Sequence, residues 1–264
     1  MARARRVLGE KSIGHTGTLD PFATGLLVLL VGRGTRVARF LDGLAKTYLA
    51  TARLGSRTTT DDLTGEPVGL PHEGPLPARE AVIAALGSFV GSHAQTPPAF
   101  SARRQDGERA YARARRGEEV TLAPGIVTVH AADLLGFEGT EVTFRVTVST
   151  GTYVRALARD LGERLGIGAH LSALRRESIG GLRVEDALPL EQLVPGTPLW
   201  PLGAALSHLP RVPLDEAGRA DISHGRPVAG IVAGTVVLVL GGEVIAVAEG
   251  DGRWLRPTVV LAAP

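Results

Sequence analysis

Between Gly14 and Gly25 the chain places three glycines, three threonines, one histidine and one carboxylate within twelve residues. Glycine takes up φ > 0 and lets a backbone come close to a ligand, and Pro21 pushes the preceding Asp20 toward an extended conformation. The segment reads as a tight, hydroxyl-rich, glycine-hinged turn presenting a single acid, Asp20, which suits one carboxylate acting on a bulky polymer. An Asp followed by Pro equally fits a helix N-cap and first helical residue, and that geometry would still leave the carboxylate at a helix start.

At 264 residues the chain can form one large domain, or one large and one small. Its formal charge is only +2, but the positive charge is carried almost wholly by arginine, Lys11 and Lys46 being the only lysines. Arginine is the better bidentate ligand for phosphate; a lysine-poor chain rich in alanine and glycine can equally reflect genome composition. The absence of cysteine excludes disulfides, iron–sulfur clusters and thiolate zinc sites. The seven histidines are scattered and form no HxxxH pair, so no metal site is expected. The aliphatic run Leu26 to Val31 is far too short to span a bilayer, and no apolar stretch follows the basic N-terminus as a secretory signal requires. A cytoplasmic protein without membrane association is expected.

Along the chain, residues 3–9 read as part of a basic helix, 26–31 as a short buried strand and 47–54 as a half-buried strand. Gly32-Arg33-Gly34 invites a dinucleotide reading, but Val37 stands where the third glycine of GxGxxG belongs. A threonine-rich loop (57–62) and a proline-rich linker (67–77) precede a helix over 78–89. Residues 95–101 read as a rigid loop, 107–116 as a short basic helix, 126–130 and 142–148 as strands, and 153–165 as an amphipathic helix. Six arginines (Arg103, Arg104, Arg109, Arg113, Arg115, Arg116) fall between 103 and 116 around Tyr111, a composition that suits an RNA-contacting arm or a solvated helical face. A proline-rich boundary at 194–203 separates residues 1–195 from 205–264, where short strands at 235–240, 243–248 and 258–261 alternate with glycine turns. That last part reads as a small β-domain, separable from the rest.

The twelve-residue segment closely resembles the signature of the bacterial tRNA pseudouridine synthase B (TruB) family, Gly-His-Thr-Gly-x-Leu-Asp-Pro-x-Ala-Thr-Gly, at every fixed position. The resemblance continues in the family's order through Lys46-Thr47-Tyr48, the Arg57 to Asp62 loop, Gln95 to Ser101, Ser149 to Arg155, and Gly168 to Arg176. It implies an α/β catalytic domain on a mixed, largely antiparallel sheet with flanking helices, then a small PUA-like β-domain. It also implies that uridine 55 in the T-loop of tRNA is flipped out and isomerised to pseudouridine, with no cofactor and no metal, by a monomer.

Carried over residue by residue, Asp20 is the catalytic carboxylate and Arg155 its paired guanidinium, which favours the anion. Tyr48 stacks on the target uracil, Tyr153 and Leu174 shape its pocket, and His15 lies beside the substrate loop. Arg103, Arg115 and Arg116 are implied as RNA contacts, with Arg175 and Arg176 near phosphate. The plain alternative for Arg155 is a surface ion pair with Asp160 on its own helix. One departure stands out: family members usually begin with a strand and a Lys-Pro-x-Gly-x-Thr-Ser segment before the basic helix. This chain starts inside that helix, so its natural start is expected upstream of Met1, or one strand is absent.

Overall fold

Strict alternation along Lys46–Leu54 turns Tyr48, Ala50, Ala52 and Leu54 to one side and Leu49, Thr51 and Arg53 to the other, and this period of two builds a sheet with one dry face. The computed structural model describes residues 1–101, 103–105, 108–116, 118, 120 and 122–262. The chain forms two compact units: Leu19–Leu26 with Ala45–Ser178, and Met1–Thr18 with Leu27–Leu44 and Ile179–Pro264.

In the first unit the strands lie in the order Ala169–Ile179, Lys46–Leu54, Glu141–Val148, Gly125–Glu138, Gly91–Gln95. Lys46–Leu54 and Glu141–Val148 are antiparallel, as are the two pairs that follow. Thr24–Gly25 adds to Arg175–Arg176 in parallel. The buried face (Tyr48, Ala50, Phe144, Val146) is covered by Val82 and Leu86 of the helix Arg79–Gly87 and by Leu157 and Leu161 of the helix Val154–Arg164. The opposite face carries polar cross-strand pairs, Thr47 with Thr147 at 3.1 Å and Thr51 with Thr143 at 3.2 Å. The expected mixed, largely antiparallel sheet with flanking helices is therefore what forms.

Several expectations need correction. Asp20-Pro21 does not start a helix: Ala23 N donates to Asp20 O at 3.0 Å, closing a tight turn. The strand expected over 126–130 runs over Gly125–Glu138, because bulges after Val129 and Leu134 break the alternation that would reveal it. The segment expected as a loop from residue 95 is preceded by the strand Gly91–Gln95, and the basic helix is limited to Ala110–Arg115 after two short strands, Arg104–Gln105 and Glu108–Arg109.

In the second unit Ile13–Thr16 pairs antiparallel with Val28–Val31, so the expected buried strand is shorter than 26–31 and only Leu30 in it is fully buried. Gly32–Val37 forms a 3-10 turn that leads into the helix Ala38–Asp42, not a dinucleotide loop. A five-stranded sheet runs in the order Arg211–Pro213, Ala233–Leu240, Glu243–Asp251, Trp254–Val260, Val228–Ala229. Gly241 and Gly242, at φ 57 and 88, close its central hairpin in a conformation that favours glycine. Leu30, Val37 and Leu41 share one apolar cluster with Leu206, Val237, Val247 and Val259, so the units interleave in sequence where composition places a single boundary at 195–205. Among the described residues no helix is long and apolar enough to cross a membrane.

Candidate active site

Asp20 is held from the first turn of the helix Val154–Arg164. Arg155 donates from Nη2 to Asp20 Oδ1 at 2.9 Å and from Nε to Oδ2 at 3.0 Å, the forked geometry that favours Arg over Lys. Its further donors reach Thr60 O at 3.0 Å and Phe100 O at 2.9 Å, and Asp62 Oδ2 lies 3.6 Å from Nη1. Burying a guanidinium is costly unless its donors are matched; here one side chain ties the Asp20 turn, the threonine loop and the loop after Gln95 together. Arg155 is 6% exposed and Asp20 30%, so the carboxylate is fixed on one side and open on the other.

The threonine loop is braced in turn. Asp62 Oδ1 accepts from Thr60 Oγ1 at 2.7 Å, Thr64 N at 2.9 Å and Thr64 Oγ1 at 2.6 Å. One helical turn beyond Arg155, Arg159 donates to Asp61 Oδ2 at 3.0 Å, Asp160 Oδ1 at 2.8 Å and Thr96 O at 2.9 Å. Burial pushes the Asp61 and Asp160 carboxyls above the usual range, against the opposing charge of Arg159. The surface pair considered for Arg155 and Asp160 does not form; Arg159 takes Asp160, with 2.7 Å from Nη2 to Oδ1.

Tyr153 has no side-chain cap for the helix it precedes. Buried Gln95 fills that gap, its Oε1 accepting from Tyr153 N at 2.9 Å and its Nε2 donating to Tyr153 O at 3.1 Å. The clamp fixes the helix start and hence Arg155. Tyr48 is buried on the sheet face. Burial pushes its phenol up; the charge and hydrogen bond of Arg176 oppose that, and the charge of Asp20 adds to it. A neutral phenol is thus maintained within the electrostatic reach of Asp20.

Leu174 packs in the same core as Tyr48, from the strand Ala169–Ile179 rather than from a helix. It also lines a cavity of 190 Å³ with Phe22, Thr24, Leu49 and Thr51, which does not include Asp20, Tyr48 or Arg155. Arg176 corrects its expectation: it is fully buried and reaches no surface where phosphate could sit. His15 is exposed on Ile13–Thr16 in the other unit. Arg103 is exposed, the Arg115 side chain lies outside the described residues, and Arg116 is exposed but paired, to Glu108 at 2.5 Å and Glu118 at 2.7 Å. Of the residues singled out, Asp20 and Arg155 meet directly, and Tyr48 and Leu174 share one buried cluster in the same unit.

Residues 5–154 match the N-terminal domain of the TruB family pseudouridylate synthases, and residues 155–211 match the tRNA pseudouridylate synthase B C-terminal domain. The chain belongs to the TruB family. Similar curated proteins include a tRNA pseudouridine synthase B of Arthrobacter sp. (strain FB24), 40% identical over 99% of this chain and 91% of that one. Another, from Leifsonia xyli subsp. xyli, is 44% identical over 86% of this chain and 77% of that one. Among solved structures, an archaeal box H/ACA sRNP Nop10–Cbf5 complex shares the fold, with TM-score 0.72 and 23% identity over 99% of this chain and 81% of that one.

Within this TruB chain, three residues that sequence reading left without a role carry the geometry: Gln95, Asp62 and Arg159. Arg159 had a readable signal, since it follows Arg155 by four residues and so shares its helix face. Gln95 had none beyond lying in a matched segment, because it meets Tyr153 across 58 residues; Asp62 had a local signal in Thr60 and Thr64, two residues to either side, from which its carboxylate accepts.

Proposed function

We infer that this chain isomerises uridine to pseudouridine at position 55 in the T-loop of tRNA, with Asp20 as the catalytic carboxylate. The observation that carries the reading is the Asp20 carboxylate, forked by buried Arg155 on one side and open on the other, in the turn that matches the family signature. The reaction breaks the bond from C1′ to N1, turns the uracil, forms a bond from C1′ to C5, and exchanges a proton at C5 for one at N1. No electrons are gained or lost overall. Asp20 acts on the ribose or the base, Arg155 holds it in place, and Tyr48 stacks on the uracil and handles a proton as a neutral phenol. Tyr153 and Leu174 shape the space for the flipped base, whose extrusion costs a few kcal/mol, and His15 and the Arg103, Arg115 and Arg116 arm contact RNA. The reading includes a cytoplasmic monomer working without metal or cofactor.

The test is to incubate the protein with an unmodified tRNA transcript and map pseudouridine. Asp20→Asn keeps the shape and removes the charge; it should abolish product while tRNA affinity stays within about tenfold. Turnover near that of the unaltered protein in Asp20→Asn would overturn the assignment.

A further inference from the structure

Among the described residues Arg176 is the largest side chain that the fold buries completely, and none of the roles above uses it. It clasps the end of the Asp20 turn twice. Leu26 N donates to Arg176 O at 2.8 Å, and Arg176 Nε donates back to Leu26 O at 2.8 Å. The neighbouring Gly25, at φ 96, lies so close that a Cβ there would sit 2.2 Å from Arg176 O, so only glycine permits the approach. The charge and hydrogen-bonding influence of the guanidinium also reaches the Tyr48 phenol, opposing the rise that burial imposes on it. A guanidinium has donors and no acceptor. In any hydrogen bond between the two, the phenol oxygen is therefore the acceptor.

The geometry points to Arg176 as a positioning residue for the isomerisation, fixing the Tyr48 hydroxyl and the exit of the Asp20 turn relative to one another without touching substrate. The inference rests on the function proposed above. A buried cation that only props the core would hold the fold but would leave the Tyr48 hydroxyl indifferent to which residue occupies position 176.

Two substitutions separate these cases. Arg176→Met keeps the length and removes every donor; Arg176→Lys keeps the charge and loses the fork. Single-turnover kinetics on the tRNA transcript should show kcat reduced at least about tenfold in Arg176→Met with KM changed by less than about threefold, and partial recovery in Arg176→Lys. The second readout needs no RNA. The chain has three tyrosines; with tyrosine carbon-labelled at Cζ, the Tyr48 resonance is the one lost in Tyr48→Phe. In Arg176→Met that resonance should move, and its titration should shift to higher pH, because the cation that opposes burial is gone. A core merely loosened would admit water and shift it the other way, toward the ordinary phenol value. Unchanged kcat, an unmoved resonance or a downward shift overturns the inference. If Arg176→Met does not fold, Arg176→Lys decides on kcat and on the position of the Tyr48 resonance: loss of the guanidinium's planar fork should lower the one and move the other, and if either is unchanged the inference is overturned. Should the unaltered protein make no pseudouridine, the proposed function fails, and the resonance still judges Arg176.

Discussion

A carboxylate that works on a polymer must be fixed and reachable at once, and Asp20 meets both demands because its partner arrives from beneath. The fork from Arg155 uses both carboxylate oxygens, while two backbone carbonyls occupy the guanidinium's remaining reach. Arg155→Lys tests whether this planarity matters. An ammonium can serve one carboxylate oxygen but cannot also satisfy Thr60 O and Phe100 O, and a buried carbonyl left unmatched costs about 1–3 kcal/mol. The expected outcome is a lower melting temperature and a kcat at least about a hundredfold below that of the unaltered protein, with tRNA affinity little changed; single-turnover assays and a melting curve check it. This pair was not legible from spacing. Asp20 and Arg155 lie 135 residues apart, and local reading offered Asp160 instead, which a helix places five residues from Arg155 and so off its face. Only the resemblance joined the two, and it did so without Asp62 or Gln95, whose contacts to Arg155 and Tyr153 depend on how loops meet around the helix start.

At the scale of elements, legibility followed the regularity of burial. Lys46–Leu54 and Glu141–Val148 alternate cleanly and were readable. Ala169–Ile179 buries its first three residues in a row, and its Leu171 and Leu174 fall at a spacing that also suits a helix, so nothing local marked a strand. The Asp251 hairpin offers a test of such local chemistry. Asp251 accepts from Arg253 N at 2.9 Å, Trp254 N at 2.7 Å and Arg256 Nη1 at 2.5 Å, and the Arg256 hydrogen bond foremost holds its carboxyl down to about 2. A depressed folded-state pKa stabilises above the unfolded value and is lost as pH falls through the folded one. Melting curves of the unaltered protein and Asp251→Asn should therefore differ at neutral pH and converge as pH falls from about 4 to about 2. A constant difference across that range would show that the carboxylate's charge is not what orders the turn. The arginine arm gives a second test. Arg116 is engaged by Glu108 and Glu118, so phosphate must compete with these acids. Neutralising Arg115 and Arg116 should flatten the log–log salt dependence of tRNA binding by about one to two units, and Glu108→Gln with Glu118→Gln should steepen it and tighten binding at low salt. An unchanged slope in both would make the arm a solvated face.

For the whole molecule, the question is whether the β-rich C-terminal part is a detachable grip on RNA. Composition argues that it is, since the proline-rich stretch at 194–203 looks like a linker and a chain ending near residue 200 should then fold and keep some catalysis. Packing argues otherwise. Leu30, Val37 and Leu41 are 4%, 0% and 0% exposed, and they are buried in a cluster with Leu206, Val237, Val247 and Val259. Ending the chain near 200 removes those partners and returns three large aliphatic side chains toward water at about 1.5–3 kcal/mol each. That sum is of the same order as the roughly 5–15 kcal/mol that holds a typical domain together. The damage would also lie next to the chemistry along the chain, because the strands Ile13–Thr16 and Val28–Val31 flank the Asp20 turn in sequence. The expected outcome is that a chain of residues 1–200 is poorly soluble or melts well below the full chain, and that its turnover falls through kcat as well as KM. Melting curves, gel filtration and single-turnover assays on both chains check this. A shortened chain that stays soluble, melts like the full one and loses only tRNA affinity would make the C-terminal part an accessory grip, and would mean that residues 28–41 draw their stability from elsewhere.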